Sequence, residues 1–192
     1  MNKLIFIIFL SINCYFASNT FAISGTLSVT TGESKVEYQK AYFAGGCFWC
    51  MEESFDKVKG VVKSISGYSG GNIKNPTYKQ VIYKDTGHVE AIAVYYDPTL
   101  TSYEELLKVF WVNIDPFDAK GQFCDKGRSY RSVAFYQNAK QKKLIESSIT
   151  SIEKKFNKKK IVTLVWKFEK FYPAEDYHQD YYQKNFLRYL AY

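Results

Sequence analysis

From residue 38 onward, apolar positions recur at two spacings in turn. Ala41-Tyr42-Phe43-Ala44 is a short apolar run stopped by Gly45-Gly46, which predicts a buried strand. Directly after it, Phe48, Met51, Phe55 and Val58 fall at i, i+3, i+7 and i+10, the stripe of a helix lying on a sheet. Residues 61–68 predict a second strand that ends in the turn Gly67-Tyr68-Ser69-Gly70-Gly71. Pro76 suits the first turn of a short helix running through Val81. Residues 89–96 are apolar on both faces except at Glu90, the pattern of a strand in the middle of a sheet. Ser102-Tyr103-Glu104-Glu105 reads as a capping box that opens a helix through Trp111. Residues 129–136 alternate as a strand, Ile145, Ile149, Ile152 and Phe156 stripe a long helix, and residues 161–168 predict a last strand. Helices returning to a mixed sheet predict an α+β two-layer sandwich, with no second domain and no linker within residues 38–192.

The first 22 residues follow another logic. Lys3 precedes an apolar run from Leu4 to Ile12, and Thr20 and Ala22 supply the small residues that a signal peptidase reads, so cleavage after Ala22 and export are expected. Nine apolar residues fall short of the ~20 that a spanning helix needs, so no stable membrane insertion is expected. Residues 23–37, rich in Ser, Thr and Gly, read as a flexible leader. Cys14 leaves with the signal, and the mature chain keeps Cys47, Cys50 and Cys124 in an oxidising compartment. An odd number of thiols cannot all pair within one chain, so redox chemistry is expected.

With 192 residues, 46% of them hydrophobic and 18% aromatic, the chain has enough material for a real core and is not a disordered protein. The net charge of +7 comes from scattered lysines, densest between Lys154 and Lys160, and reads as a solvated surface rather than a nucleic-acid face.

The candidate chemistry lies at Gly45-Gly46-Cys47-Phe48-Trp49-Cys50. A cysteine on the first turn of a helix gains from unpaired amides and the helix dipole, which predicts a thiolate of lowered pKa at Cys47. Phe48 and Trp49 beside it form an apolar wall, and Cys50 three residues on is near enough for an exchangeable disulfide. A structural zinc pair is disfavoured, since only His88 and His178 remain as further ligands, and no metal or other cofactor is expected. A static disulfide or a thioredoxin-like C-x-x-C protein are alternatives. Glu90 in Thr86-Gly87-His88-Val89-Glu90 has two equal readings: a buried, protonated general acid, or a carboxylate paired with a lysine at the strand edge. His88 and His178 read as packing or hydrogen-bonding residues. Tyr78 adds a hydroxyl, and the polar run from Gln122 to Arg131 places Cys124, Asp125 and Tyr130 where a loop feeds a strand.

Taken together, Gly-Cys-Phe-Trp at 46–49, Gly-Tyr-Ser-Gly-Gly at 67–71, Asn-Pro-Thr-Tyr at 75–78, Thr-Gly-His-Val-Glu at 86–90, Asp-Pro at 97–98, Ser-Tyr-Arg-Ser at 129–132 and the run from Tyr172 to Tyr181 resemble the A-type peptide methionine sulfoxide reductases. The resemblance covers about residues 38–182. It implies an elaborated ferredoxin-like core and reduction of the S epimer of methionine sulfoxide, in proteins or free. It also implies Cys47 as nucleophile, Glu90 as general acid, Tyr78 and Tyr130 as hydrogen-bond donors to the sulfoxide oxygen, Asp125 as a site aspartate, and Phe48 and Trp49 as the pocket for the S-methyl group. The sequence departs from the common pattern in its resolving thiol: Cys50 is the first choice and Cys124 the rival, and the two can also act in series. The family's frequent His-Asp-Pro-Thr is Ile114-Asp115-Pro116-Phe117 here. The implied partner is thioredoxin or, for an exported enzyme, a thioredoxin-like dithiol donor outside the cytoplasm. Nothing demands more than a monomer. Two other classes use the same residues: a disulfide oxidoreductase indifferent to Glu90, and a cysteine hydrolase with His88 or His178 as base.

Overall fold

The computed structural model of the protein describes residues 36–191. The expected signal at 1–22 and all of the leader up to residue 35 lie outside the described residues. Eight strands and six helices follow in the order β1 (Gln39–Gly45), α1 (Phe48–Asp56), β2 (Val61–Ser69), α2 (Tyr78–Tyr83), β3 (Val89–Tyr96), α3 (Tyr103–Val112), β4 (Gly121–Gln122), β5 (Asp125–Lys126), β6 (Ser132–Tyr136), α4 (Ala139–Lys155), β7 (Leu164–Lys167), β8 (Phe171–Pro173), α5 (Tyr181–Lys184) and α6 (Phe186–Leu190). The main sheet has the order β7-β6-β1-β3-β2-β8, antiparallel throughout except for the parallel pair β6 and β7. Its inner four strands, β6-β1-β3-β2, have the neighbour relations of a ferredoxin-like core, and β7 and β8 extend it at the two edges. The fold is α+β with a mixed sheet, as the periodicities predict.

β3 lies in the interior, between β1 and β2, for the reason its composition suggests: both of its faces are covered. Ile92, Val94 and Tyr96 join Ala41 and Phe43 in a core under Met51 and Phe55 of α1, Leu106, Leu107 and Phe110 of α3, and Ile145 of α4. Val89, Ala91 and Ala93 face the other way with Tyr42, Ala44, Val133 and Phe135, and there Trp166, Phe168 and Phe171 close the surface. Tyr42 stacks on Phe168 with ring centroids 3.7 Å apart. Glu90 points to the helical side, at the end of β3 over which β1 delivers Cys47.

Several local expectations are corrected. Pro76 stands outside α2, because Thr77 is the N-cap and makes a full capping box with Gln80. Conversely, Ser102 caps α3 by accepting from the Glu105 N–H at 3.2 Å, but the Glu105 carboxylate pairs with Lys108 instead of closing the box. Residues 129 and 130 belong to a 3-10 turn, Arg128–Tyr130, and β6 begins only at Ser132.

One glycine sets the approach to the site. Gly46 has φ +85°, and a Cβ there would lie 2.6 Å from Cβ of Gln122. Gln122 cannot retreat, since its side-chain amide accepts from the Asp115 N–H at 2.7 Å and donates to the Asp115 carbonyl at 3.0 Å. Gly46→Ala is therefore expected to lower stability by about 1–3 kcal/mol. A urea midpoint equal to that of the parent protein would refute this account of the junction.

Candidate active site

Cys47 is the N-cap of α1 rather than a residue of its first turn, and its side chain makes no capping hydrogen bond. The first helical amide, Phe48 N–H, is spent on Glu90, donating to Oε2 at 3.0 Å. Glu90 is only 2% exposed. Burial pushes its pKa up to about 8 against the pull of that amide, and the negative charges of Asp125 and Cys50 raise it further. At neutral pH the side chain is therefore mostly a protonated acid. Glu90 is buried, and its hydrogen-bond partner is a backbone N–H rather than a lysine.

The expected lowering of the Cys47 pKa is not found. Its thiol is hydrogen-bonded to Cys50, and that bond, burial and the nearby Glu90 carboxyl all push it upward. Cys50 moves the opposite way, down to about 7, because Cys47 donates to it and Tyr189 adds a second bond, while burial opposes both. The first α1 amide serves the carboxyl, while the Cys50 N–H bonds the Cys47 sulfur and draws its pKa down against the larger upward effects.

Tyr78, the first residue of α2, and Tyr130, at the end of the 3-10 turn, are hydrogen-bonded to each other. Burial raises both phenols, and the carboxyl of Glu90 acts on both. Tyr78 is pinned from below, where its N–H donates to Glu175 Oε1 at 2.9 Å and Glu175 Oε2 accepts from the Tyr68 hydroxyl at 2.8 Å. Asp125 lies in β5, and its charge reaches Glu90, Cys50 and both tyrosines. Cys124 is exposed on the β4–β5 turn, beside Phe123 with φ +45°. Cys47, Cys50 and Cys124 line one cavity of about 340 Å³, together with Gln122, Asp125 and Tyr189.

Phe48 and Trp49 build an aromatic wall as expected, but not alone. Phe48 packs among Tyr68, Tyr78 and His178, with centroids 6.0, 6.4 and 4.9 Å away. Trp49 stacks on Tyr181 at 3.7 Å, and its indole N–H donates to His178 Nδ1 at 3.2 Å. Burial lowers the His178 pKa, so the ring is neutral and held as an acceptor. Sequence reasoning assigned no individual part to Tyr181, Tyr189 or Glu175, and read His178 as a packing or hydrogen-bonding residue, which the bond from Trp49 bears out. The available signal was the density of aromatic and polar residues from Tyr172 to Tyr189. His88 does prove structural: Nδ1 accepts from Gly71 N–H and Nε2 donates to the Ile73 carbonyl. Among the described residues neither histidine is bonded to Cys47, which removes the geometry that a cysteine hydrolase needs.

A buried thiol with a second thiol against it, a neutral carboxyl beside it and an aromatic wall define a thiol-dependent oxidoreductase on an α+β sheet. The family model described as peptide methionine sulfoxide reductase matches residues 39–192. The chain is 51% identical over 160 residues to a peptide methionine sulfoxide reductase MsrA of Listeria monocytogenes, covering 83% of this chain and 90% of the relative. It is 50% identical over 153 residues to the MsrA of Bacillus subtilis, covering 79% and 86%. Among solved structures, Mxr1 from Saccharomyces cerevisiae in reduced form superimposes with a TM-score of 0.71 at 31% identity, covering 79% of this chain and 87% of that one. The chain belongs to the peptide methionine sulfoxide reductases, on the MsrA side of the family.

The raised pKa of Glu90 has a measurable cost. The folded chain keeps this proton up to about pH 8, whereas the unfolded chain loses it near pH ~4.3. Between these limits the folded state binds more protons, so its stability falls as pH rises. Glu90→Gln removes this slope. Its stability relative to the parent is expected to grow from pH 5 to pH 8, by up to about 1.4 kcal/mol per pH unit. Parallel denaturation curves across this range would contradict a protonated Glu90.

Proposed function

We propose that the protein reduces the S epimer of methionine sulfoxide through a sulfenic acid on Cys47. The observation that carries this reading is the convergence on Cys47 of a neutral Glu90 and a hydrogen-bonded second thiol. The S-methyl group rests against Phe48 and Trp49, backed by Tyr181 and His178. The hydroxyls of Tyr78 and Tyr130 turn from each other to the sulfoxide oxygen. The proton of Cys47 passes along the existing bond to Cys50, and the freed thiolate attacks sulfur. Glu90 supplies a proton to the oxygen, without which the S–O bond is hard to break. Methionine leaves and the oxygen stays on Cys47 as S–OH. Asp125 supports the site electrostatically, its charge helping to keep Glu90 protonated.

Cys50 then attacks Cys47; the S–S bond forms, the S–O bond breaks and water leaves. Cys124, exposed at the rim of the same cavity, takes the disulfide outward in a second exchange, where thioredoxin or an exported thioredoxin-like dithiol reduces it. Substrates are oxidised methionines of proteins and free methionine sulfoxide, and the enzyme acts as a monomer. Export rests on residues 1–22, and N-terminal sequencing of the mature protein should begin at Ile23.

The test is a single turnover of the reduced protein without added reductant, on separate S and R epimers of a blocked methionine sulfoxide. Product is expected from the S epimer only, with two thiols lost per methionine. Glu90→Gln should slow methionine formation about 10²–10⁴-fold, and the parent rate should decline above pH 8, as Glu90 loses its proton. Cys124→Ser should keep single-turnover disulfide formation and slow only recycling by the dithiol. Equal product from both epimers, or from neither, would end this reading.

A further inference from the structure

The second thiol is not left to chance. Cys50 sits on α1, and its side chain is hydrogen-bonded both to Cys47 and to the hydroxyl of Tyr189 on α6. That hydroxyl also reaches Glu53 Oε2 at 2.5 Å. Glu53 is in turn held by Lys57, 2.6 Å away at the surface. Tyr189 lines the cavity that holds all three cysteines, and its ring is packed edge-on against Tyr182, 6.2 Å between centroids. The sequence distance from Glu53 to Tyr189 is 136 residues, so this is a link between the chain's last helix and its first.

We propose that Tyr189, anchored by Glu53, is the positioning residue of the resolving step: it orients Cys50 toward Cys47 and stabilises the thiolate that attacks. A phenol has one proton to give. When it donates to the Glu53 carboxylate, its oxygen accepts from a Cys50 S–H; when Cys50 is a thiolate, the phenol donates to sulfur. Either arrangement holds Sγ in one place, and Glu53, kept below the usual carboxylate range by Lys57 and Tyr189, stays the anion that anchors the ring. Resolution needs the thiolate arrangement. Cys50 takes up a proton as Cys47 becomes the nucleophile, and must give it up again before it can attack the sulfenic sulfur. Attack forms the S–S bond, breaks the S–O bond, and the departing hydroxide takes a proton to leave as water, so the step balances as Cys47–SOH plus Cys50–SH giving disulfide and water. The ionisable groups facing Cys50 are Cys47, Asp125, Glu53 and Tyr189, with the Glu90 carboxyl in electrostatic reach. Cys47 and Tyr189 favour its thiolate through their bonds, whereas the charges of Asp125 and Glu53 oppose it.

This inference rests on Cys50 being the resolver, and the experiment separates the two. In a single turnover of the full chain on the S epimer, methionine release reports sulfenic acid formation; thiol loss and capture of Cys47–SOH by dimedone report its resolution. Tyr189→Phe keeps the ring and removes only the hydroxyl. It is expected to slow disulfide formation about tenfold, well beyond any slowing of the methionine burst, and to shift the pH midpoint of disulfide formation upward by about one pH unit. Glu53→Gln is expected to move the same midpoint. A disulfide rate and midpoint equal to the parent's in Tyr189→Phe would overturn the proposal while leaving Cys50 as resolver. So would an equal slowing of both steps with the midpoint unmoved, the mark of a merely structural residue. If Cys50→Ser still closes its disulfide at the parent rate, the resolver assignment and this proposal fall together.

Discussion

A backbone N–H at the start of α1 donates to a carboxyl buried at the end of the central strand, and the whole site is arranged around that bond. It brings the β1–α1 junction, where Cys47 sits, onto β3, 42 residues further along the chain. It also decides an electrostatic question. A helix N-terminus stabilises one nearby anion well, and here that position is occupied by Glu90. Burial outweighs the amide's pull, so the carboxyl keeps its proton. A single contact thus places the Glu90 carboxyl beside the thiol pair.

The consequence is a division of labour between two thiols three residues apart. Cys47 is buried, 7% exposed, and holds its proton. Cys50 is half-buried, bonded to both Cys47 and Tyr189, and its pKa is drawn downward.

The rest of the site comes from scattered places. Tyr78 arrives on α2 and Tyr130 on the turn before β6, while Asp125 belongs to a two-strand hairpin. The segment after β8 contributes most of the support: Glu175 pins Tyr78, His178 and Tyr181 brace Trp49, and Tyr189 reaches Cys50. Glu52 of α1 ties this segment down by accepting from the Asp180 N–H at 3.1 Å, where the chain turns through φ +53°. The precision of the aromatic wall therefore depends on a stretch with little regular structure, held by side chains reaching across more than a hundred residues.

Much of this was legible in order along the chain. Hydrophobic spacing alone marked β3 as interior, because a strand covered on both faces has no polar side to show, and Glu90 stood out against that background. The glycine pair before Cys47 and the capping residue Ser102 are local devices, written in neighbouring positions, although Pro76 and Ser129 misled by two or three residues at element ends. The linked motifs carried the family and the nucleophile, acid, tyrosines and aspartate with it. What a one-dimensional pattern does not contain is which groups meet. Which groups the α1 amides serve, which way each thiol's pKa moves, and why Tyr189 faces Cys50 all depend on hydrogen bonds and burial set by packing distant segments together. Sequence by itself determined the elements, the central strand and the family; only the tertiary structure decided which groups meet and in what surroundings, because a pKa is a property of surroundings and not of a residue.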